Sequence, residues 1–234
     1  MLIEDFIKKD EELKELFQSV SVVDLSKFEE KIYKPNEYLI NKDCSANNIF
    51  FIFEGVCGIL QDLANGETYC SYKINSLAII GLSEILPEKS KIRVADVIAV
   101  SDVTAFSISK TYFKNFQIKY PDFYNRCIQI IIERLHQNLM VHVECKKYNA
   151  KLNIISYLIH CYKLYCKLPR LNNKGVYINE TRQMIADFTG ISERSVNSTI
   201  ELLKNLNLVT VDRQKLYINE NQYQNLLDYK FNNT

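Results

Sequence analysis

"GISERSVNSTIELLKNLNL" runs from Gly190 to Leu208, and the order of its residue types decides how the rest of the chain is read. A glycine comes first, then a short polar run, Ser192-Glu193-Arg194-Ser195, then apolar positions at Val196, Ile200, Leu202 and Leu203. Ser192 stands where a helix N-cap belongs. A helix that leads with hydroxyls and a guanidinium while keeping its apolar side chains behind presents its front to a partner rich in hydrogen-bonding groups and negative charge.

The flanking residues say what that partner is. Upstream, "TRQMIADF" (181–188) predicts a short helix capped by Thr181, with Met184, Ile185 and Phe188 turned inward. Gly190 then supplies the backbone angle of a tight turn. Downstream, "LVTVDRQKLYI" (208–218) alternates apolar and polar residues around a polar turn, which predicts a two-stranded wing. Helix, turn, helix and wing together predict a double-stranded DNA-binding unit. Arg194, Ser195, Asn197 and Ser198 face outward at the exposed end. Arg194 and Asn197 have the bidentate geometry that reads guanine or adenine edges, and Arg182 and Lys215 are placed to neutralise phosphates. Charge follows the same division: residues 150–234 carry 11 Lys+Arg against 7 Asp+Glu, whereas residues 1–149 carry 18 against 21. A basic carboxyl-terminal third suits a polyanion.

Composition narrows the rest. With 234 residues, 47% hydrophobic and 24% charged, the chain is of ordinary globular type. No apolar run reaches the roughly 18 residues of a membrane helix, and the amphipathic, acidic start "MLIEDFIKKDEELKELF" is unlike a signal peptide, so a cytoplasmic protein without a membrane partner is expected. The seven cysteines, an odd number without a secretory signal, argue against a disulfide framework, and the lack of CxxC spacing argues against a zinc ribbon or a four-cysteine iron–sulfur site. His136, His142 and His160 all fall in helical sequence, leaving no histidine cluster for a metalloenzyme. No nucleophile with its base and no paired carboxylates stand out, so no enzyme activity, cofactor or metal is expected; an unidentified small-molecule effector stays open, as does haem held by His136 or His142.

Between residues 30 and 109, short runs rich in Ile, Val, Tyr and Phe ("KIYK", "EYLI", "NIFFIF", "GVCGILQD", "ETYCSYKI", "VADVIAV", "VTAFSI") recur between turn signals, among them Asn65-Gly66 and Gly55. They predict an antiparallel β-barrel or sandwich, preceded by amino-terminal helices with Leu13, Leu16, Phe17 and Val20 on one face. Pro121 opens a long helix. Ile128, Ile132, Leu135, Leu139 and His142 fall on one seam of 4 and 3 spacing, which predicts pairing with a second copy, while Ile130 and Ile131 pack on the chain's own barrel. Asn149 caps the helix that follows. The expected organisation is α+β: a sensor barrel with its amino-terminal helices over 1–120, a dimerisation helix over 121–148 and a winged helix-turn-helix over 149–234.

This order of parts resembles the CRP/FNR family of bacterial transcription regulators. "TRQMIADFTGISERSVNSTIELLKNLNLV" (181–209) is similar to that family's DNA-binding signature, and "NIFFIFEGVCGIL" with "IIGLSEIL…RVADVIAVSDVTAFSIS" resembles its jelly-roll-like cyclic-nucleotide-binding fold. The resemblance implies a homodimer on a two-fold DNA operator, with RNA polymerase as a further partner. It places phosphate contact on Arg182 and base reading on Glu193, Arg194, Asn197 and Ser198. The family's common Arg-Glu-x-x-x-Arg is here Glu193 to Ser198, which implies a different operator. The sensor cassette also departs. Gly81 is followed by Leu82 and Arg93 by Val94, so the ribose and phosphate partners of cyclic AMP are incomplete and another signal is expected. Glu84 and Arg93 stay as effector candidates, with Asn138 on the long helix. "LANGETYCSYKIN" (63–75) resembles the family's glutathione-responsive virulence regulator, which adds Tyr72 and Lys73, with Cys70 nearby. The rival reading from another class is a small-molecule-binding signalling adaptor whose helix-turn-helix contacts protein; the basic recognition face argues against it.

Overall fold

In the computed structural model, residues 3–41, 47–62, 68–82, 95–166 and 175–233 are described. The chain divides into two compact units, Met1–Leu135 and His136–Thr234.

The first unit begins with three short helices, α1 (Ile3–Ile7), α2 (Glu11–Phe17) and α3 (Val22–Leu25). Asp10 and Ser21 cap α2 and α3. Among the described residues eight strands follow: β1 (Glu29–Tyr33), β2 (Tyr38–Ile40), β3 (Asn48–Glu54), β4 (Cys57–Asp62), β5 (Thr68–Ile74), β6 (Ala78–Ile80), β7 (Asp96–Ala99) and β8 (Val103–Ser109). They form two four-stranded sheets, β1-β8-β3-β6 and β2-β7-β4-β5, antiparallel at every pairing, in a jelly-roll-like arrangement.

The run "NIFFIF" is apolar at nearly every position because β3 is buried on both faces. Phe50 and Ile52 pack into the core between the sheets, with Cys57, Ile59, Val97 and Ala105. Ile49, Phe51 and Phe53 turn the other way, into an aromatic cluster closed by α1, α2, α4 (Lys110–Lys119) and the start of α5 (Pro121–Lys147). There Phe17 packs edge-on to Phe28, and Phe51 lies within 6 Å of Phe17, Phe28 and Phe123. Ile130 of α5 belongs to this cluster, whereas Ile131, expected beside it, is half-buried and outside it.

One expectation changes here. Gly55 does not close a hairpin, since β3 and β4 lie in different sheets and do not pair. It turns a corner at φ +100°, where a Cβ would fall 2.3 Å from the Asp102 carbonyl oxygen. Asn65-Gly66 lies outside the described residues, although the flanking strands β4 and β5 pair from Cys57↔Ile74 to Asp62↔Thr68.

In the second unit, α6 (Ala150–Tyr165) is the central element, buried around most of its circumference and capped by Asn149. Around it stand β9 (Val176–Ile178), α7 (Arg182–Thr189), α8 (Glu193–Asn205), β10 (Thr210–Asp212), β11 (Lys215–Ile218) and α9 (Glu220–Asn232). The wing is three-stranded, order β10-β11-β9, rather than two-stranded, because Val176–Ile178 pairs with the outer edge of β11. Ile178, Ile185, Val196, Ile200, Leu203, Leu216, Ile218 and Leu226 are essentially fully buried.

Candidate nucleic-acid interface and sensor

The turn between α7 and α8 is built by local chemistry. Thr181 and Ser192 cap the two helices, accepting from the Met184 and Ser195 amides. Gly190 closes α7 at φ 69°, and the amides of Gly190 and Ile191 both donate to the Ala186 carbonyl. With Val196, Thr199, Ile200 and Leu203 buried, α8 exposes Glu193, Arg194, Asn197, Ser198 and Glu201. Arg194, Asn197, Ser198 and Glu201 share one face, at i, i+3, i+4 and i+7. Two of the hydroxyls are engaged locally. The Ser195 hydroxyl lies 2.9 Å from that of Ser192, and Ser198 donates back to the Arg194 carbonyl at 3.1 Å. Arg194, Asn197 and Glu201 are therefore the longer polar side chains that this face extends.

Beside it, an open cleft of ≈ 530 Å³ runs between the start of α7 and the wing, lined by Asn179, Glu180, Thr181, Arg182, Arg213, Gln214 and Lys215 among others. It gathers three cations at a helix N-terminus, an arrangement that suits an anion. Burial pulls the half-buried Arg182 guanidinium below its usual value, and the Glu201 carboxylate opposes that shift. Arg213 and Gln214 form the two-residue tip between β10 and β11, both at positive φ, 46° and 69°. Arg213 is absent from the sequence-derived set, since a polar turn does not tell which of its residues will face the α7 terminus.

Under the cleft, Glu180 is buried. It accepts hydrogen bonds from the Tyr157 hydroxyl at 3.2 Å and the Tyr165 hydroxyl at 3.1 Å. Burial, with Cys161 and Glu180 nearby, pushes the Tyr157 phenol well above its usual value, so it remains a donor. The Tyr157 ring packs on Phe188 at 4.5 Å.

On α5, Ile128, Ile132, Leu135 and Leu139 are exposed, the last three by more than half of their surface. Met140 and Val143 extend this stripe. His142 does not share it: the ring is half-buried and stacked on Phe188, so Val143 takes the exposed position at that level.

The sensor candidates are more dispersed. Tyr72 packs against the core between the sheets. Lys73, next on β5, projects from the opposite face and is itself buried. Cys70 shares that second face, its sulfur 3.1 Å from where a Gly58 Cβ would stand. Alternation sets Lys73 opposite Tyr72, and the register shift of β4 and β5 between Ile59 and Leu60 turns Cys70 to the Lys73 face as well. Glu84 and Arg93 lie outside the described residues, and Asn138 is half-buried on α5. Among the described residues no group of three or more His, Cys, Asp or Glu could hold a metal ion, and no helix is long and apolar enough to cross a membrane.

A jelly-roll-like domain joined by a long helix to a winged helix-turn-helix defines a structural class. Residues 30–120 match the cyclic nucleotide-binding domain family, and the chain has the fold of the CRP/FNR transcriptional regulators. A CRP family transcriptional regulator from Thermus thermophilus is similar with a TM-score of 0.69 and 14% identity, over 86% of this chain and 96% of that one. FixK2 from Bradyrhizobium japonicum gives 0.66 and 12%, over 86% and 96%. CLP from Xanthomonas campestris, described as a c-di-GMP responsive global regulator, gives 0.63 and 13%, over 83% and 95%. No curated protein matches the sequence significantly.

Proposed function

We propose that the protein is a dimeric, sequence-specific DNA-binding transcription regulator of the CRP/FNR type, whose barrel responds to a signal other than cyclic AMP. The observation that carries this reading is the pairing of an exposed polar face on α8 with the three-cation cleft beside it. The first supplies base-reading groups and the second a phosphate seat, the division of labour that protein–DNA interfaces use. The exposed apolar stripe on α5 supports a dimer, which would set two recognition helices on a two-fold operator. RNA polymerase is the further partner that the family resemblance adds. Leu82 and Val94 supply neither of the polar groups that a cyclic nucleotide's ribose and phosphate need, which supports a different effector. The c-di-GMP responsiveness ascribed to CLP is consistent with that, since it pairs this fold with another signal.

A binding titration with selected cognate and scrambled duplexes at two salt concentrations tests the reading. Arg194→Ala should lose about 1–3 kcal/mol on the cognate site and flatten discrimination at one base pair per half-site. Arg182→Ala should weaken every duplex alike and lower the salt slope by about one per subunit. Wild-type binding by both variants would refute the DNA reading.

A further inference from the structure

A carboxylate in a cleft built for phosphate presents a conflict. Glu180 lines the same cleft as Arg182, Arg213 and Lys215, and by Coulomb's law its charge should repel DNA. Burying it also carries a desolvation penalty, which the hydroxyls of Tyr157 and Tyr165 offset from below. A well-packed apolar side chain at this position would avoid both effects. Its presence is explained by what it holds.

Glu180 sits two residues before Arg182, between the end of β9 and the Thr181 cap of α7. Its two tyrosine donors are both on α6, the best-buried helix of the unit. Tyr157 is oriented in turn by its packing on Phe188 of α7. The β9–α7 loop is thereby fixed at the residue next to the cap, from two directions, by hydrogen bonds that an apolar contact would not aim.

We propose that Glu180 is a positioning residue of the phosphate-binding cleft: pinned by Tyr157 and Tyr165, it sets the direction from which Arg182 is presented. This rests on the DNA reading and makes a prediction of opposite sign to simple charge repulsion. Glu180→Ala, which removes a negative charge from the cleft, should weaken DNA binding and lower the salt slope by about one per subunit, as Arg182→Ala does. Glu180→Gln, which keeps the shape and one acceptor oxygen while its amide NH2 donates to the other tyrosine hydroxyl, should restore most of the slope. In an Arg182→Ala background, Glu180→Ala should have no further effect on DNA, whereas its effect on melting temperature should be the same in both backgrounds.

The experiment is that double-mutant cycle on the full chain, read by salt-dependent fluorescence anisotropy on the selected duplex and by thermal melting. Tyr165→Phe and Tyr157→Phe are milder substitutions that stand in if Glu180→Ala does not fold, and each should reduce the slope in the same direction. Binding by folded Glu180→Ala as tight as wild type or tighter overturns the proposal, as does full additivity with Arg182→Ala. If Arg182→Ala itself leaves binding unchanged, Arg182 has no phosphate role and this inference is overturned, while Arg194→Ala still decides the DNA reading.

Discussion

His142 lies flat on Phe188, the ring centroids 4.6 Å apart and the planes inclined by 19°. The contact fastens the carboxyl-terminal half of α5 to α7 inside the second unit. It also makes that packing sensitive to protonation. Burial first, and Lys146 second, lower the His142 value from its usual 6.5. The ring is thus neutral in the fold and more readily protonated when unfolded. The stability it contributes is fully present above pH 6.5 and is lost as pH falls through the lowered folded value. His142→Phe keeps the ring contact without the titration. Its melting temperature should fall less between pH 7.5 and pH 5.5 than that of the wild type, and an equal fall in both proteins would assign the acid sensitivity to another group.

The exposed stripe on α5 gives the second prediction. Leu135→Asp with Leu139→Asp places two carboxylates on each copy of a seam that the dimer would bury, at several kcal/mol by the desolvation of unpaired charges. Both leucines are more than half exposed in the single chain, so the variant should fold. Sedimentation velocity should show a dimer for the wild type and a monomer for the variant. A double variant of full dimer mass would place the interface elsewhere.

Two glycines at positive φ predict a contrast. At Gly190 (φ +69°) an added Cβ meets nothing within 4 Å, whereas at Gly55 (φ +100°) it meets the Asp102 carbonyl at 2.3 Å. Gly190→Ala should therefore destabilise by about 1 kcal/mol, the left-handed penalty alone. Gly55→Ala should cost about 2–4 kcal/mol, since strain and a backbone collision add. Thermal melts of the two variants should fall in that order, and the reverse order would show that the corner at Gly55 can relax.

What the sequence disclosed follows how local each feature is. The caps at Asn149, Thr181 and Ser192 and the left-handed turn at Gly190 are set by neighbours within a few residues, and each is found where its residue type implies. The unbroken apolar run of β3, buried on both faces, is local as well. The third wing strand is not, because the three residues Val176–Ile178 become a strand only by pairing with Leu216–Ile218, far along the chain. α9 carries a legible signal, the capping box of Asn219 and Gln222. Its weak apolar face, with Gln222 and Leu226 as its buried residues, gives no strong period to follow. At the site, Arg194 and Asn197 show through helix periodicity. Glu180 does not, since its tyrosine partners lie 15 and 23 positions away.

The tip of the wing sets two demands on the same pair of residues. A two-residue hairpin with both central angles positive favours Asn-Gly, yet here it is made by Arg213 and Gln214. Replacing them with Asn and Gly would relieve a strained backbone and firm the hairpin by about 1 kcal/mol, while withdrawing a guanidinium from the cleft. On the proposed DNA-binding function, affinity and fold robustness are opposed within a single turn, and variants selected for heat resistance alone would drift toward a sturdier wing with one cation fewer in the cleft.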